Sequence, residues 1–553
     1  MKNKIYIFLF LLLSASLWNS CSEDFLELKP IAAENEAAFY QTMAHADQAI
    51  IACYSQFNNV AAWDRDLMMY FGDVCSDDFE AGGDFVNEVP QAEQLSYLDW
   101  DPTDGVYDNV YGTLYRAINF CNIALEKLPS IEETDPDADV AQLNIRIAEA
   151  KFLRALNHFY LTIVFGEVPL VDHVLGPTEY KMGRAPLRDI YDLIEKDCKD
   201  AMAVLPERGS WNGEEGRATK GAAKALLARL YLYESSYAKY YGGSDPRFAN
   251  LNERWGDALK YAEEVISSGK YKLVGIDGET YPTWRGPETN GFRYIFTSEG
   301  DYSPETVFEI TCIQEGLGYE EARGHSLSNW STARYYIDEG GVNRATSYWG
   351  LGLPHPDLKA AYDDGDARLR TTMAFEGSGD EWIEIKGGLR YPISYNNSVT
   401  KTYQRKWESS AAEFADVKKD WNTAPANIKL IRYADVYLIA AEAALMSGNS
   451  AKALEYVNKV RERARNCGTS GQPAALTSVS MEDIMHERRL EFAGEGHRFF
   501  DIVRWNKAYD LLNKPTYSDF GNRQFVRGEN EFQPLPQREI DLSGGALQQY
   551  TAF

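Results

Sequence analysis

Apolar residues recur at helical spacing from about Cys21 to Gly269 and again over the C-terminal part of the chain, and between these two stretches the period fades. From Ile147 to Phe165 one stripe holds Ile147, Ala150, Leu153, Leu156, Tyr160 and Ile163, and Gly166 and Pro169 follow as stop signals. This spacing predicts an amphipathic helix over 147–165. Thr219 is placed to cap a second helix that turns Ala222, Ala223, Leu226, Leu227 and Leu230 inward, and Trp255 to Ile266 supplies its antiparallel partner. The design returns at Ile431 to Met446, which would bury Tyr433, Val436, Tyr437, Ala440 and Ala444. Gly448 and Asn449 end that helix, and Ser450 caps the next, with Ala453, Leu454, Val457, Val460 and Ala464 on its inner face. Helix pairs joined by tight turns, with alanines where they cross, predict irregular tetratricopeptide-like hairpins.

Between about Lys270 and Ala426, Gly, Pro, Asn and Ser become frequent, and short candidate strands such as Thr306 to Cys312 and Trp382 to Ile385 are bounded by turn residues. The chain therefore reads as one continuous, mostly α domain. Its helical regions cover 21–269 and 428–553, and a long, partly β, loop-rich insertion covers 270–427. Loops held on a rigid scaffold are where recognition usually sits.

The N-terminus carries a different pattern. Lys2 and Lys4 precede an apolar run from Ile5 to Leu13 that is too short to span a bilayer, and Ser20 stands before Cys21. Residues 1–20 read as a signal peptide and Cys21 as the first mature residue, acylated there. Each buried methylene of an acyl chain adds about 0.8 kcal/mol, so such a cysteine would hold the chain on a membrane surface without spanning it. The cleavage motif is irregular: Leu17 lies one position early, and Trp18 and Asn19 stand where aliphatic and small residues are usual. An ordinary cleaved signal with an incidental cysteine is the competing reading. No later segment approaches about 18 uninterrupted apolar residues.

Composition narrows the classes of function. With 56 basic and 83 acidic residues the formal net charge is −27, which repels nucleic acid and anionic head groups and excludes nucleic-acid binding. Cys53, Cys75, Cys121, Cys198, Cys312 and Cys467 are scattered without a CxxC pair or zinc-like spacing, and read as buried free thiols. His486-Glu487 opens like a zinc-protease helix, but position 490 is Leu where a second His is needed. Gly221 is followed by Ala-Ala where a phosphate loop needs Lys-Ser/Thr, and Asp363, Asp364 and Asp366 lack the spacing of a calcium loop. Glu487, Arg488, Glu491, Glu495, Arg498, Asp501 and Arg504 alternate in sign, so each carboxylate has a guanidinium within reach and is spoiled as a general acid. These residues read as ties between the last helices and the scaffold. No catalytic residue, cofactor or metal site is predicted.

Several motifs, taken in order, resemble the SusD/RagB family of outer-membrane nutrient-binding lipoproteins. They are Cys21-Ser-Glu-Asp-Phe25-Leu26-Glu27, Glu149-Ala-Lys-Phe-Leu153-Arg154-Ala155, Phe165-Gly166-Glu-Val-Pro169-Leu170 and Gly216-Arg217-Ala-Thr219-Lys220. Tyr362 with Asp366 and Arg368, Arg432-Tyr433-Ala434-Asp435-Val436 and Ala441-Glu442-Ala443 continue the series. The strongest match is Glu487-Arg488-Arg489-Leu490-Glu491-Phe492 followed by Glu495-Gly496-His497-Arg498, Asp501 and Arg504-Trp505, and Pro534-Leu535-Pro536 with Glu539-Ile540 completes it. The C-terminus departs, ending Gln548-Gln549-Tyr550-Thr-Ala-Phe553 in place of Asn-Pro-Gly-Tyr. The resemblance implies a helical fold with an inserted ligand-binding region, no enzymatic activity, and a role as lid on a SusC-like TonB-dependent barrel that receives the cargo. Ser22-Glu23-Asp24 is similar to export tags that place such lipoproteins on the outer face of the outer membrane.

Aromatic content carries the remaining signal: 35 Tyr, 25 Phe and 12 Trp in an acidic, polar chain. Sugars stack their C–H faces on Trp and Tyr while their hydroxyls need Asn, Asp, Gln or Arg beside them. By analogy with the family, the candidate ligand contacts are Trp63, Asp77, Asp78, Trp284, Trp330, Tyr335, Tyr336, Trp349 and Arg390, each aromatic competing with a plain core role. Tyr335 and Tyr336, being adjacent, cannot both point into one core. The leading expectation is capture of an oligosaccharide or polysaccharide without bond-making. Peptide capture, a lid that binds no cargo and a helical glycoside hydrolase are the alternatives.

Overall fold

The computed structural model describes residues 39–56, 61–84, 88–285, 291–312, 324–379, 381–385, 388–410, 424–514 and 523–550; Cys21 and the leader lie outside the described residues. Eight helices stack in chain order: α1 (Met43–Ser55), α2 (Gly105–Lys127), α3 (Val140–Phe165), α4 (Leu187–Val204), α5 (Lys220–Tyr241), α6 (Trp255–Ser267), α7 (Tyr433–Met446) and α8 (Ser450–Asn466). Each packs on the next, and α6 meets α7 although the insertion separates them in sequence. Two further helices, α9 (Met481–Phe492) and α10 (Arg498–Arg504), close the stack. The fold is thus mostly α with irregular tetratricopeptide-like hairpins.

Local chemistry explains the helix ends. Thr219 caps α5 as its hydroxyl accepts from the Ala222 N–H. Helix α3 begins seven residues before the predicted Ile147, because Asp139 accepts from the N–H groups of Ala141 and Gln142, and it stops at Gly166 with φ +70°. Asn449, not Ser450, caps α8, its amide oxygen accepting from the Lys452 N–H. Ile431 is not helical either. It belongs to β10 (Ile428–Arg432), a buried strand whose run of Ile and Leu suits a pleated partner, and Arg432 is the extended residue that precedes α7.

Strand β10 pairs antiparallel with β2 (Thr306–Ile310), Lys429 opposite Glu309 in a 2.6 Å ion pair. This ladder gathers the two ends of the insertion, so residues 311–427 leave and rejoin the scaffold at one place. Within the insertion lie β3 (Tyr335–Ile337), β4 (Asn343–Ala345), β5 (Leu351–Pro354), β6 (Met373–Phe375), β7 (Trp382–Ile385), β8 (Leu389–Pro392) and β9 (Thr402–Gln404). They form antiparallel pairs β3–β4, β6–β9 and β7–β8, while β5 pairs with β1 (Phe79–Gly82) from the helical part. A bridge from Tyr336 to Ile393 and the bond from Ser394 N–H to the Tyr335 carbonyl set β3 beside β8. A small separate core of Ala333, Leu353, Ala374, Ile383, Ile393, Tyr395 and Tyr403 supports these strands.

Two features lock the parts of the chain together, the first between the insertion and the helices, the second between the N- and C-terminal helical regions. The first is a fully buried ionic network. Arg432 binds both oxygens of Glu495 at 2.7 Å, Glu305 at 2.7 Å and Glu491 at 2.9 Å, and Arg463 joins Glu305 and Glu491. From the insertion, Arg368 reaches Glu487 and Glu491 while holding Asp366, and Lys406 reaches Glu495. Burial alone would raise the Glu491 carboxyl, but the guanidiniums of Arg463, Arg432 and Arg368 hold it well below the usual carboxylate range.

The second feature is a close approach of two glycines. Ala61–Val74 is a wide, π-type helical segment that closes with the Cys75 N–H bonded to the Tyr70 carbonyl five residues back. Gly72 in this segment lies against Gly496, where an added Cβ would come within 2.2 Å of the Gly496 oxygen. Gly496 itself has φ +75°, its own Cβ would meet the Met68 backbone at 2.7 Å, and its N–H donates to Asp73. Among the described residues no helix is long and apolar enough to cross a membrane, and Cys53, Cys75, Cys121, Cys198, Cys312 and Cys467 are free thiols.

Two outcomes follow for stability. Gly496→Ala should cost about 3 kcal/mol through strain plus backbone overlap, whereas Gly209→Ala, also left-handed but in open space, should cost about 1 kcal/mol; urea unfolding with equal midpoints for the two would refute the packing argument. Acid should destabilise the fold in two stages. His158 and His325 are buried, and burial lowers them to about 4 and about 3, so stability present above the unfolded value near 6.5 is lost as pH falls toward those values. Below the ordinary carboxylate range, protonation of Glu491 and Glu495, both held low against burial by their arginines, removes more. Asp301, raised by burial to about 6, acts in the opposite sense. Because other buried carboxylates are also raised, the check is made on one group: His158→Asn should lose less of its thermal midpoint than the parent between about pH 7 and about pH 4, and an equal loss would contradict the first stage.

Candidate functional site

The β1–β5 ladder brings together residues far apart in sequence. Gly82 is opposite Leu351, and an added Cβ on Gly82 would lie 2.5 Å from the Gly350 oxygen, so the turn after β1 runs directly beside the corner formed by Trp349 and Gly350. That turn carries Asp84, and Glu88 follows it. Trp330 sits on a short helix, Leu327–Ser331, with its indole N–H donating to Ser326 Oγ at 3.0 Å. The Trp349 N–H donates to the Asn329 carbonyl at 2.9 Å, which sets the two indoles 5.4 Å apart, inclined by 36°. Both are half-buried, one side resting on the main core.

Charged groups frame the pair. Arg65, from the π-type segment, lies 5.5 Å over Trp330 and is held by Asp66, which Asn109 also binds. Arg334 lies 5.9 Å from Trp349 and from Tyr335, and pairs with Glu88 at 2.7 Å and Asp84 at 3.4 Å. The Tyr335 hydroxyl donates to Asp84; burial and that carboxylate push it up, so it remains a donor. The result is an aromatic corner ringed by hydrogen-bonding groups whose positions are set by ion pairs.

Strand alternation extends this surface. Tyr336 and Ile393 face the small core, and Tyr336 contacts the Tyr391 ring at 4.9 Å. By the two-residue period, Tyr335 shares the other face with Arg390 and Trp382. Trp284 meets Trp382 edge-on at 5.9 Å, and the Trp382 ring already carries the guanidiniums of Arg285 and Arg390, each 4.0 Å from its centre. Arg390 also pairs with Glu384 at 3.2 Å and donates to the Trp284 carbonyl. Trp382 is therefore occupied on its faces, and the tryptophan pair is the more open platform.

Of the nine candidates, the structure brings Trp330, Trp349 and Tyr335 together and places Trp284 and Arg390 on the neighbouring face, with Tyr336 turned toward the small core. Trp63, Asp77 and Asp78 are corrected. They are 1, 3 and 0 % exposed: Trp63 packs edge-on against Tyr160, Asp77 accepts from Nε and Nη2 of Arg498, and Asp78 is held by Arg489. The two aspartates anchor the approach to β1 and do not face solvent. Sequence reasoning passed over Arg65, Asp84, Glu88 and Arg334. Arg334 directly precedes a chosen tyrosine, and Asp84 lies a few residues past the chosen aspartates, so adjacency was the available signal.

Comparison with known proteins bears on the whole chain. The sequence profile of the SusD family matches residues 314–552, and a profile described as starch-binding, associating with the outer membrane, matches residues 24–232. SusD-like protein P25 of Formosa agariphila is 24 % identical over 574 residues, covering 98 % of this chain and 96 % of its own. The starch-binding protein SusD of Bacteroides thetaiotaomicron is 25 % identical over 438 residues, 74 % of this chain and 72 % of its own. Among solved structures, a laminarin-binding SusD-like protein superposes with a TM-score of 0.72 at 26 % identity, over 93 % of this chain and all of that one. With two profiles that together span most of its length and a shared architecture, the chain belongs to the SusD/RagB family.

Proposed function

We propose that this protein is a non-catalytic, cell-surface glycan-binding lipoprotein, anchored through Cys21 to the outer membrane, that captures an oligosaccharide and delivers it to a SusC-like TonB-dependent barrel. The observation that carries the reading is the half-open Trp330–Trp349 pair, two inclined indoles ringed by Arg65, Arg334, Asp84, Glu88 and Tyr335. Indole faces take the C–H side of a pyranose, and the ring of donors and acceptors takes its hydroxyls. The printed names of the relatives, starch-binding and laminarin-binding, support the same class of cargo. The description of the matching N-terminal profile supports the outer membrane as the location.

The carboxylates at the corner support binding without hydrolysis. Glycoside cleavage needs one carboxyl that holds a proton and a second free to attack or to activate water. Here Asp84 accepts from Tyr335 beside Arg334, Glu88 pairs with Arg334 and Glu384 pairs with Arg390, so each is already engaged by a donor. A lid that must release its cargo also gains nothing from very tight binding, which places affinities in the micromolar range or weaker.

The test is titration of the mature chain carrying Cys21→Ser, which cannot be acylated, against starch, laminarin and other polysaccharides in affinity gels and by calorimetry. Trp330→Ala and Trp349→Ala should each weaken binding by about tenfold, the equivalent of about 1.4 kcal/mol, with little change in thermal midpoint. Retention of full affinity by both variants would remove the tryptophan pair from the site, and absence of any glycan binding would end the reading.

A further inference from the structure

We infer that the captured glycan is uncharged, and that the site discriminates against polysaccharides bearing sulfate or uronate groups. The inference rests on the glycan-binding reading above and adds the class of glycan. A surface built to take an acidic polysaccharide needs guanidinium or ammonium groups whose charge is available to the ligand, because sulfates and carboxylates are recognised by bidentate, charge-assisted bonds. The guanidiniums that lie over the rings of Trp330, Trp349 and Trp382, and Arg344 on β4, are each committed to a carboxylate. Arg65 is bound to Asp66, Arg334 to Glu88 and Asp84, Arg344 to Asp338, Arg390 to Glu384, and Arg285 to Glu408.

The balance at the opening is tipped further toward the acid side. Arg334, the cation nearest Trp349, faces two carboxylates, so this corner carries a formal excess of one negative charge. Arg285 is 2 % exposed at its side chain and is spent on Glu408 and the Trp382 carbonyl. Arg390 is the most open of the cations that reach the aromatics, yet it also stacks on Trp382 and binds the Trp284 carbonyl. An incoming sulfate would have to break one of these pairs and leave a carboxylate unpaired beside it. The net charge of −27 over the whole chain adds a long-range repulsion against any polyanion. A neutral glycan meets none of these costs: its hydroxyls can donate to Asp84 and Glu88 and accept from Arg334 without disturbing the pairs.

The decisive measurement compares neutral polysaccharides (starch, laminarin, xylan, mannan) with acidic ones (alginate, polygalacturonate) and with the sulfated derivative of whichever neutral glycan binds, at low salt and at about 0.2 M salt. The expected result is binding to a neutral member that is insensitive to salt, with its sulfated derivative weaker by about tenfold at low salt and partly recovering as salt screens the repulsion. Glu88→Gln, which takes one of the two carboxylates from Arg334, should narrow that gap several-fold. Tighter binding of an acidic glycan, weakening as salt rises, would overturn the inference while leaving glycan capture standing. Failure of every neutral and acidic glycan to bind would overturn both.

Discussion

The structure depends on a buried ionic network in which five cations, Arg368, Lys406, Arg432, Arg461 and Arg463, meet five carboxylates, Glu305, Asp366, Glu487, Glu491 and Glu495. Taking so many charges out of water is costly, and the geometry has to compensate almost completely. It does so because each guanidinium bridges at least two chain segments. Arg432 ends β10, Arg461 and Arg463 lie on α8, Glu487 and Glu491 on α9, and Arg368, Asp366 and Lys406 come from the insertion. Removing one member would leave a buried charge without its partner, typically a loss of about 3–5 kcal/mol. The network is therefore less a source of net stability than a condition on how the insertion sits.

That condition reaches the aromatic corner through short mechanical links. Arg498 and Arg489 grip Asp77 and Asp78, which fixes the start of β1. Strand β1 pairs with β5, and the residues just before β5 are Trp349 and Gly350. From the other side, Gly496 and Gly72 allow the loop before α10 to touch the π-type segment that carries Arg65. Both walls of the corner are thus set from the helical scaffold, while the small separate core sets the β3–β8 face. A platform held in this way is pre-organised, and in the glycan-capture proposal it would lose little side-chain freedom on binding.

Much of this was legible in the sequence because it follows from local rules. Helical period, the Thr219 cap and the Gly166 stop located helices, and the strand at Trp382–Ile385 could be read from its turn-bounded run. The alternating acids and arginines from Glu487 to Arg504 announced a structural network, since no carboxylate there lacks a cation within helical reach. The aromatic corner was legible only in part. Trp330, Trp349 and Tyr335 stand out as aromatics in a polar stretch, but their conjunction depends on the β1–β5 pairing across some 270 residues of chain, for which there is no local signal. The same long-range closure buried Trp63, Asp77 and Asp78. An aspartate pair reads as a polar binding group until the arginines that claim it, more than 400 positions later, are in place.

The contrast between the two groups of carboxylates bears on what the protein can do. In the scaffold network, acids are fully buried and balanced one for one, so they hold geometry and nothing more. At the corner the acids are only half-buried, their ion pairs lie at the edge of water, and one guanidinium serves two of them. Such groups remain available as hydrogen-bond acceptors for hydroxyls, and the shared arginine fixes where those acceptors stand. In the glycan-capture proposal, the same ion pairs that hold the corner in shape would set the acceptors that a sugar's hydroxyls meet over the indoles.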